Sequence, residues 1–148
     1  MFPFVQAHFH QFYLASSAVK VIDGDTVVIQ GVKVRMACID APEMAQPRGI
    51  SAKNELHSLI GKGIPQVVRL DTDRFGRVLG ILYLNNQNLN VEMVRRGYAF
   101  VYPRYLSTCP LLVQNQLINS EAQAKKLKKG IWQDVQPLFP WIFRSQNR

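Results

Sequence analysis

Residues 18–40 read AVKVIDGDTVVIQGVKVRMACID, and this stretch decides the fold. β-branched residues dominate it, and two dipeptides, Asp23-Gly24 and Gln30-Gly31, interrupt it. Asp-Gly is a strong signal for a tight hairpin turn, and β-branched runs favour strands. The stretch therefore predicts a three-stranded antiparallel meander with strands at residues 18–22, 25–29 and 32–39.

The segments that flank the meander predict two more strands and three helices. Ala41-Pro42 ends the third strand, because proline cannot donate a hydrogen bond to a ladder. A helix is expected where apolar residues recur at helical spacing, with Asn90 as the cap of a second one. The predicted elements are a helix at 51–62, strands at 66–70 and 78–84, and helices at 91–96 and 113–129.

This order of elements predicts a mixed, mainly β fold. Five short strands, with a helix between the third and the fourth, suit a small five-stranded β-barrel of the OB type with three helices. A flat antiparallel sheet with helices on one face is the alternative. A chain of 148 residues predicts a single domain. We place it at residues 15–135, between an N-terminal extension at 1–14 and a C-terminal tail at 136–148.

The composition favours a polyanionic partner. Lys and Arg number 18 against 10 Asp and Glu, which gives a net charge of +8. The excess is concentrated in residues 75–148, which hold ten basic and three acidic side chains. Nucleic acid is the commonest partner for such a charge and an anionic membrane the next. No run of 18 apolar residues exists, so we expect no stable membrane association.

Two features bear on the cellular compartment. The two cysteines, Cys38 and Cys109, are too few for a disulfide framework, and Cys38 fits packing in the barrel. The N-terminus lacks the basic region of a signal peptide, and polar residues interrupt its apolar run. The chain is therefore expected to be cytoplasmic or the mature form of an exported protein.

Four of the ten acidic residues fall within one stretch of 21 residues: Asp23, Asp25, Asp40 and Glu43. They are either ordinary turn and surface residues or a site for a hard cation, which prefers clustered oxygen ligands. Arg35 lies between them in the sequence. Arg35 and Asp40 have opposite parity on an ideal strand, so the strand must bend or end before Asp40 if the two are to meet.

These residue types match what phosphodiester hydrolysis requires. A cation and arginines bind the phosphoryl oxygens as negative charge builds on them, because the planar guanidinium matches two oxygens at once. A carboxylate orients a water molecule and accepts its proton. The chain offers all of these groups near turns or strand ends: Asp25, Arg35, Asp40, Glu43 and Arg77.

Four segments in order resemble the staphylococcal nuclease-like (thermonuclease) family. They are residues 22–27 (IDGDTV), 34–43 (VRMACIDAPE), 73–77 (DRFGR) and 120–132, which contains SEAQAKK and GIW. The resemblance covers roughly residues 18–134. It implies an OB-type barrel and a monomeric, calcium-dependent phosphodiesterase that acts on DNA and RNA, prefers single strands and leaves 3′-phosphate products.

The resemblance also implies a role for each matched residue. Asp25, Asp40 and the backbone carbonyl of Ala41 would be ligands of calcium. Ala41 stands where threonine is often found, so a carbonyl ligand is kept and a hydroxyl contact is lost. Glu43 would hold the attacking water. The phosphoryl oxygens would be bound by two arginines, Arg35 and Arg77.

Three further residues are candidates for substrate binding. Arg74 keeps a positive charge for a flanking phosphate, whereas Phe75 lacks the hydroxyl of the tyrosine found in some members. Tyr102 and Tyr105 are the candidates for base stacking, which would suit unpaired bases of any sequence. The alternative function is a module that has lost catalysis and binds single strands or a protein. All five catalytic and carboxylate positions are filled, which favours the enzyme.

Overall fold

The computed structural model describes residues 18–148, so the predicted extension at residues 1–14 lies outside the described residues. The strands are β1 Val19–Asp23, β2 Thr26–Ile29, β3 Val32–Met36, β4 Ile39–Asp40, β5 Gln66–Thr72, β6 Val78–Leu84, β7 Gln87–Asn88 and β8 Phe100–Val101. The α-helices are α1 Gly49–Ile60, α2 Leu89–Arg95, α3 Leu111–Lys126 and α4 Pro140–Gln146. Two 3₁₀ helices lie at Pro103–Thr108 and Gly130–Gln133.

The larger sheet has the strand order β1-β2-β3-β6-β5, with β7 paired to β6. β3 and β6 are parallel and the other pairs are antiparallel. The mixed fold and its five principal strands are as predicted. β1 and β5 are the two ends of the hydrogen-bonded path, so within residues 18–148 the ladder does not close into a complete barrel.

Local sequence explains the turns of the meander. Gln30 and Gly31 have φ angles of 50° and 80°, the left-handed pair that a two-residue hairpin turn between twisted strands requires. At the preceding turn, Asp23 pairs with Thr26, and the Asp25 amide donates to the Asp23 side chain at 3.1 Å. The second turn lies where its dipeptide predicted it, and the first lies one residue later than predicted, at Gly24-Asp25, because β1 extends to Asp23.

The helix α1 packs its predicted stripe on the sheet. Ala52, Leu56 and Ile60 are all buried, which confirms the helical periodicity. The core lies between this stripe, the inner faces of β2, β3 and β6, and buried residues of α2 and α3. None of the helices in residues 18–148 is both long and apolar enough to cross a membrane.

Two local predictions are wrong. The third strand does not run to residue 39: it ends at Met36, and β4 begins after a turn at which Cys38 has a φ of 69°. The cap of α2 is Asn88, whose side chain accepts from the Val91 amide at 3.1 Å, because the helix begins earlier than predicted. Asn90 is instead buried between β6 and the β3–β4 turn, accepting from the Leu82 amide and donating to the carbonyl of residue 37.

The C-terminal tail packs on the small β4–β8 sheet. The buried ring of Phe100 makes edge contacts with Trp132, Phe139 and Trp141, whose centroids lie 4.9 to 5.9 Å away. A disulfide joins Cys38 to Cys109, with the Cα atoms 6.4 Å apart. It ties the β3–β4 turn to the residue that follows the first 3₁₀ helix. The sequence interpretation of Cys38 as a packing residue missed this bond.

Candidate active site

Arg35 brings two of the predicted carboxylates together. Its Nη2 lies 3.3 Å from an oxygen of Asp25 and 3.2 Å from an oxygen of Asp40. Its Nη1 donates to the carbonyls of Met36, at 2.7 Å, and Ile39, at 3.1 Å. The Asp40 side chain has no exposed surface, and the other two are largely buried. One guanidinium therefore fixes both carboxylates and the backbone between them.

The break between β3 and β4 makes this arrangement possible. Arg35 pairs with Thr26 on β2, and Asp40 pairs with Phe100 on β8, so the two residues belong to different sheets. The intervening turn reverses the parity that would place their side chains on opposite faces of one strand. The sequence prediction that the strand bends or ends before Asp40 is confirmed.

The turn after β1 is packed directly against the segment that carries Ala41. The Ala41 amide donates to Asp25 Oδ2 at 2.7 Å, and the Thr26 hydroxyl donates to Asp25 Oδ1 at 3.2 Å. A Cβ added at Gly24 would lie 2.7 Å from the Cβ atoms of Ala41 and Ala52. Glycine at position 24 therefore allows the close approach that holds Asp25 beside Ala41.

Glu43 lies on a loop, and Gln46 and Gly49 fix the shape of that loop. The Gln46 side chain accepts from the Glu43 amide at 3.0 Å, and the Gln46 amide donates to the Glu43 carbonyl at 2.9 Å. A Cβ at Gly49 would overlap that same carbonyl. The loop therefore turns tightly into α1, and Glu43 keeps a side chain that is about a third exposed.

Burial raises the pKa of two carboxylates in this cluster. Desolvation, aided by the negative charge of Asp25, raises the pKa of Asp23 to about 7. Desolvation also raises the pKa of Asp40 to about 6, against the opposing effect of its hydrogen bonds from Arg144. Groups whose pKa is shifted by burial and by a neighbouring charge are frequent at functional sites. Asp23, to which the sequence interpretation gave no chemical role, thus belongs to the same electrostatic cluster.

A residue from the end of the chain completes the cluster. Arg144, on α4, donates to both oxygens of Asp40 at 3.0 and 2.7 Å and to Glu43 Oε1 at 2.7 Å. These hydrogen bonds raise the pKa of Arg144 above its ordinary value. Sequence reasoning missed Arg144 because it lies outside every recognised motif. The only signal was the apolar run Leu138–Phe143, which indicated that the tail packs on something.

The structure does not bring Arg77 into the cluster. Its Nε donates to Asp73 at 2.7 Å, and the Asp73 carboxylate also accepts from the amides of Phe75 and Arg77. These hydrogen bonds outweigh burial and lower the pKa of Asp73. Arg74 and Arg77 flank the exposed Phe75 ring at 4.8 and 5.4 Å from its centroid. Since Leu79 pairs with Arg35, this hairpin tip stands close to the end of β3.

The two candidate stacking tyrosines lie together on the other side of Asp40. Tyr102 and Tyr105 meet edge to face with their centroids 5.2 Å apart. The Tyr102 amide donates to the Cys38 carbonyl at 2.9 Å, which joins this segment to the β3–β4 turn. Trp141 stacks on Tyr102 with 5.4 Å between centroids and 4° between ring planes. One face of Tyr102 is therefore already covered.

The cluster offers oxygen ligands of the kind a hard cation prefers. Within residues 18–148, no group of three or more Cys, His, Asp or Glu side chains is placed to hold a metal ion. A cation here would therefore need main-chain oxygens or water beside the carboxylates of Asp25 and Asp40. Such mixed oxygen sets suit calcium, which accepts irregular coordination.

Comparisons with known proteins agree with the motifs. The family model described as "Staphylococcal nuclease homologue" matches residues 33–134. An Escherichia coli protein named "Uncharacterized endonuclease" is 38% identical over 136 residues, which cover 87% of this chain and 84% of that protein. A Haemophilus influenzae protein of the same name is 38% identical over 135 residues, covering 88% and 72%. A Shigella flexneri protein named "Micrococcal nuclease" is 32% identical over 143 residues, covering 88% and 80%.

Proposed function

Because the chain belongs to the staphylococcal nuclease homologue family, we propose that it is a nuclease that hydrolyses the phosphodiester bonds of nucleic acids. The observation that carries this proposal is the buried pair of carboxylates, Asp25 and Asp40, bridged by Arg35. Glu43 belongs to the same cluster, because Arg144 donates hydrogen bonds to both Asp40 and Glu43. Carboxylates for a cation and a water, set against an arginine for phosphate, are the groups that this hydrolysis needs.

The finer proposal is a calcium-dependent enzyme in which Asp25, Asp40 and the Ala41 carbonyl are the ligands. The donor set fits, because it consists of oxygens only and is held rigidly by Arg35 and by the Ala41 amide. Calcium, when bound, would neutralise negative charge on the phosphoryl oxygens of the substrate.

The remaining steps belong to side chains of the chain itself. Arg35 and Arg77 bind the non-bridging oxygens, for which a planar guanidinium offers two parallel donors. For this, Arg35 must release part of its contacts with Asp25, Asp40 and the two carbonyls. Glu43, the most exposed carboxylate of the three, accepts the proton of the attacking water. Arg74 supplies a positive charge for the neighbouring phosphate of the strand. To bind phosphate, Arg77 must give up its hydrogen bond to Asp73.

The substrate is proposed to be DNA or RNA, with a preference for single strands and with 3′-phosphate products. The net charge of +8 attracts any polyanion without selecting a sugar. Tyr102 and Tyr105 present aromatic rings beside the cluster, and a ring can stack only on a base that is not paired inside a helix.

The test is cleavage of end-labelled oligonucleotides by the purified chain. Single-stranded DNA, duplex DNA and RNA are each incubated with calcium, with magnesium or with chelator, and the product ends are identified by mass. We expect calcium-dependent cleavage, fastest on single strands. Undiminished cleavage in chelator would refute the proposed requirement for calcium. Oligonucleotide binding without any cleavage would indicate a binding module instead of an enzyme.

A further inference from the structure

The C-terminal segment of residues 138–146, which we call the strap, covers the candidate active site. Arg144 engages Asp40 with both terminal nitrogens and reaches Glu43 with one of them. Its Nη2 also lies 3.4 Å from the Tyr102 hydroxyl. All four oxygens around this guanidinium therefore belong to residues assigned as ligand, base or stacking residue.

The strap also covers the aromatic part of the site. Trp141 stacks on Tyr102, and Phe139 stacks on Trp141 with 4.8 Å between centroids. A base that used this face of Tyr102 would have to take the place of the Trp141 indole. The strap thus presents a cation to the carboxylates and an aromatic ring to the tyrosine.

We propose that the strap is an intramolecular inhibitor. In this state Arg144 holds Asp40 and Glu43 in place of a divalent cation, and the strap must move before cation and substrate can bind. This inference rests on the proposed function, because it assumes that a divalent cation binds at Asp25 and Asp40.

The charges of the site explain why Arg144 competes with a cation. The three carboxylates that the two guanidiniums contact are those of Asp25, Asp40 and Glu43, so these five groups together carry a net charge of about −1. Without Arg144 the other four would carry about −2, and the attraction for a dication would rise accordingly. Arg144 also takes hydrogen-bonding positions on both Asp40 oxygens, and these are lone pairs that a metal would need.

The strap is only partly buried. The Arg144 side chain is 36% exposed, whereas Asp40 beneath it is fully buried. A cavity of about 290 Å³ lies under the start of the strap, lined by Leu138, Phe100 and the loop that follows Pro42. The Gln46 side chain donates to the Leu138 carbonyl and so holds the first residue of the strap.

The test is calcium titration by calorimetry of Arg144→Gln and of the matched control Arg148→Gln, which removes the same charge from an exposed position four residues on. We expect calcium to bind Arg144→Gln at least tenfold more tightly than the wild-type chain, and Arg148→Gln to bind as wild type does. Equal affinity in all three proteins would overturn the proposal, as would weaker binding in Arg144→Gln. Arg144→Lys keeps the charge but loses the bidentate contact, so its calcium affinity should lie between those of the wild type and Arg144→Gln.

Hydrogen exchange of the wild-type chain supplies a readout independent of affinity and activity. Addition of calcium should reduce the protection of the α4 amides while leaving α3 unchanged. Unchanged protection of α4 at saturating calcium would overturn the strap while the nuclease itself stands. If neither wild type nor Arg144→Gln binds calcium, and cleavage proceeds in chelator, then both the strap and the calcium mechanism are wrong.

Discussion

Replacing Gly24 by alanine should weaken both the fold and the candidate cation site, because two methyl groups already occupy the space beside it. The added Cβ would lie 2.7 Å from the Cβ atoms of Ala41 and Ala52. Carbon atoms pack at about 3.5–4.0 Å, so roughly 1 Å of movement is needed on each side. Overpacking of this kind costs about 1–3 kcal/mol of unfolding free energy.

The movement has a chemical consequence besides its energetic one. Ala41 is the residue whose amide holds Asp25 Oδ2 and whose carbonyl is a proposed ligand. A displaced Ala41 should therefore weaken calcium binding, in addition to lowering the urea midpoint by about 1 M for a typical denaturant slope of about 2 kcal/mol/M. Urea denaturation and calcium calorimetry on the same preparation measure the two effects.

The adjacent hairpin turn provides the matched control. A Cβ at Gly31 would meet nothing within 4 Å, although its φ of 80° makes alanine there strained by about 1 kcal/mol. Gly31→Ala should thus cost some stability and leave calcium affinity unchanged. The double variant Gly24→Ala with Ala41→Gly removes one of the two clashes and should recover part of the stability. The reasoning is refuted if Gly24→Ala is as stable as wild type and binds calcium equally well.

Three further predictions concern catalysis, pH and redox state. Glu43→Gln should keep oligonucleotide binding but lower single-turnover cleavage at saturating calcium by at least about a hundredfold, since an amide cannot accept the proton; near-normal cleavage would assign the water to another group. Burial raises the pKa of Glu121, which accepts from the Val101 amide at 2.7 Å, so the folded state binds its proton more tightly than the unfolded state. The unfolding free energy of the wild type should therefore fall, relative to that of Glu121→Gln, as pH rises from 4.5 through that raised pKa. A difference in unfolding free energy between the two proteins that stays constant across this pH range, measured by urea denaturation, would contradict it. Reduction of the Cys38–Cys109 disulfide, which spans 71 residues, should lower the unfolding free energy by about 2–4 kcal/mol, and an unchanged urea midpoint in dithiothreitol would contradict this.

Local chemistry is the reason that the meander and its turns could be predicted. Gln30-Gly31 adopts the left-handed turn that such a dipeptide favours, and Asp23-Gly24 marks the first turn to within one residue. The β-branched runs beside these turns favour strands. The stripe of α1 is equally local, because its buried residues recur at the helical period. These elements needed no knowledge of what packs against them.

The elements that were missed depend on partners far away in the sequence. β4 and β8 have two residues each and exist only because they pair with each other across about 60 residues. The kink at Cys38 is held by a disulfide to Cys109 and by the Tyr102 amide. No window of sequence around residue 38 contains these constraints, so a continuous third strand was the natural prediction there.

The same distinction applies to the candidate site. The structure brings Asp25, Arg35 and Asp40 into one cluster, and all three come from recognised motifs: Asp25 and Arg35 from the meander, and Asp40 from β4, which follows it after one turn. Arg144 lies 104 residues from Asp40, and no periodicity or turn signal relates the two. Its position depends on the aromatic packing of the tail, which only the tertiary structure reveals.

The family motifs and the C-terminal strap lie in different parts of the chain. The family model matches residues 33–134, which contain Arg35, Asp40 and Glu43 but end before the strap. Together with Asp25, which lies outside the match, these residues supply the groups proposed to bind a cation and a phosphodiester. In the proposed inhibited state, Arg144 limits access to those groups, because it pairs with Asp40 and Glu43 and cancels one unit of their negative charge. Two chains with identical motifs can therefore differ in cation affinity through the last dozen residues alone.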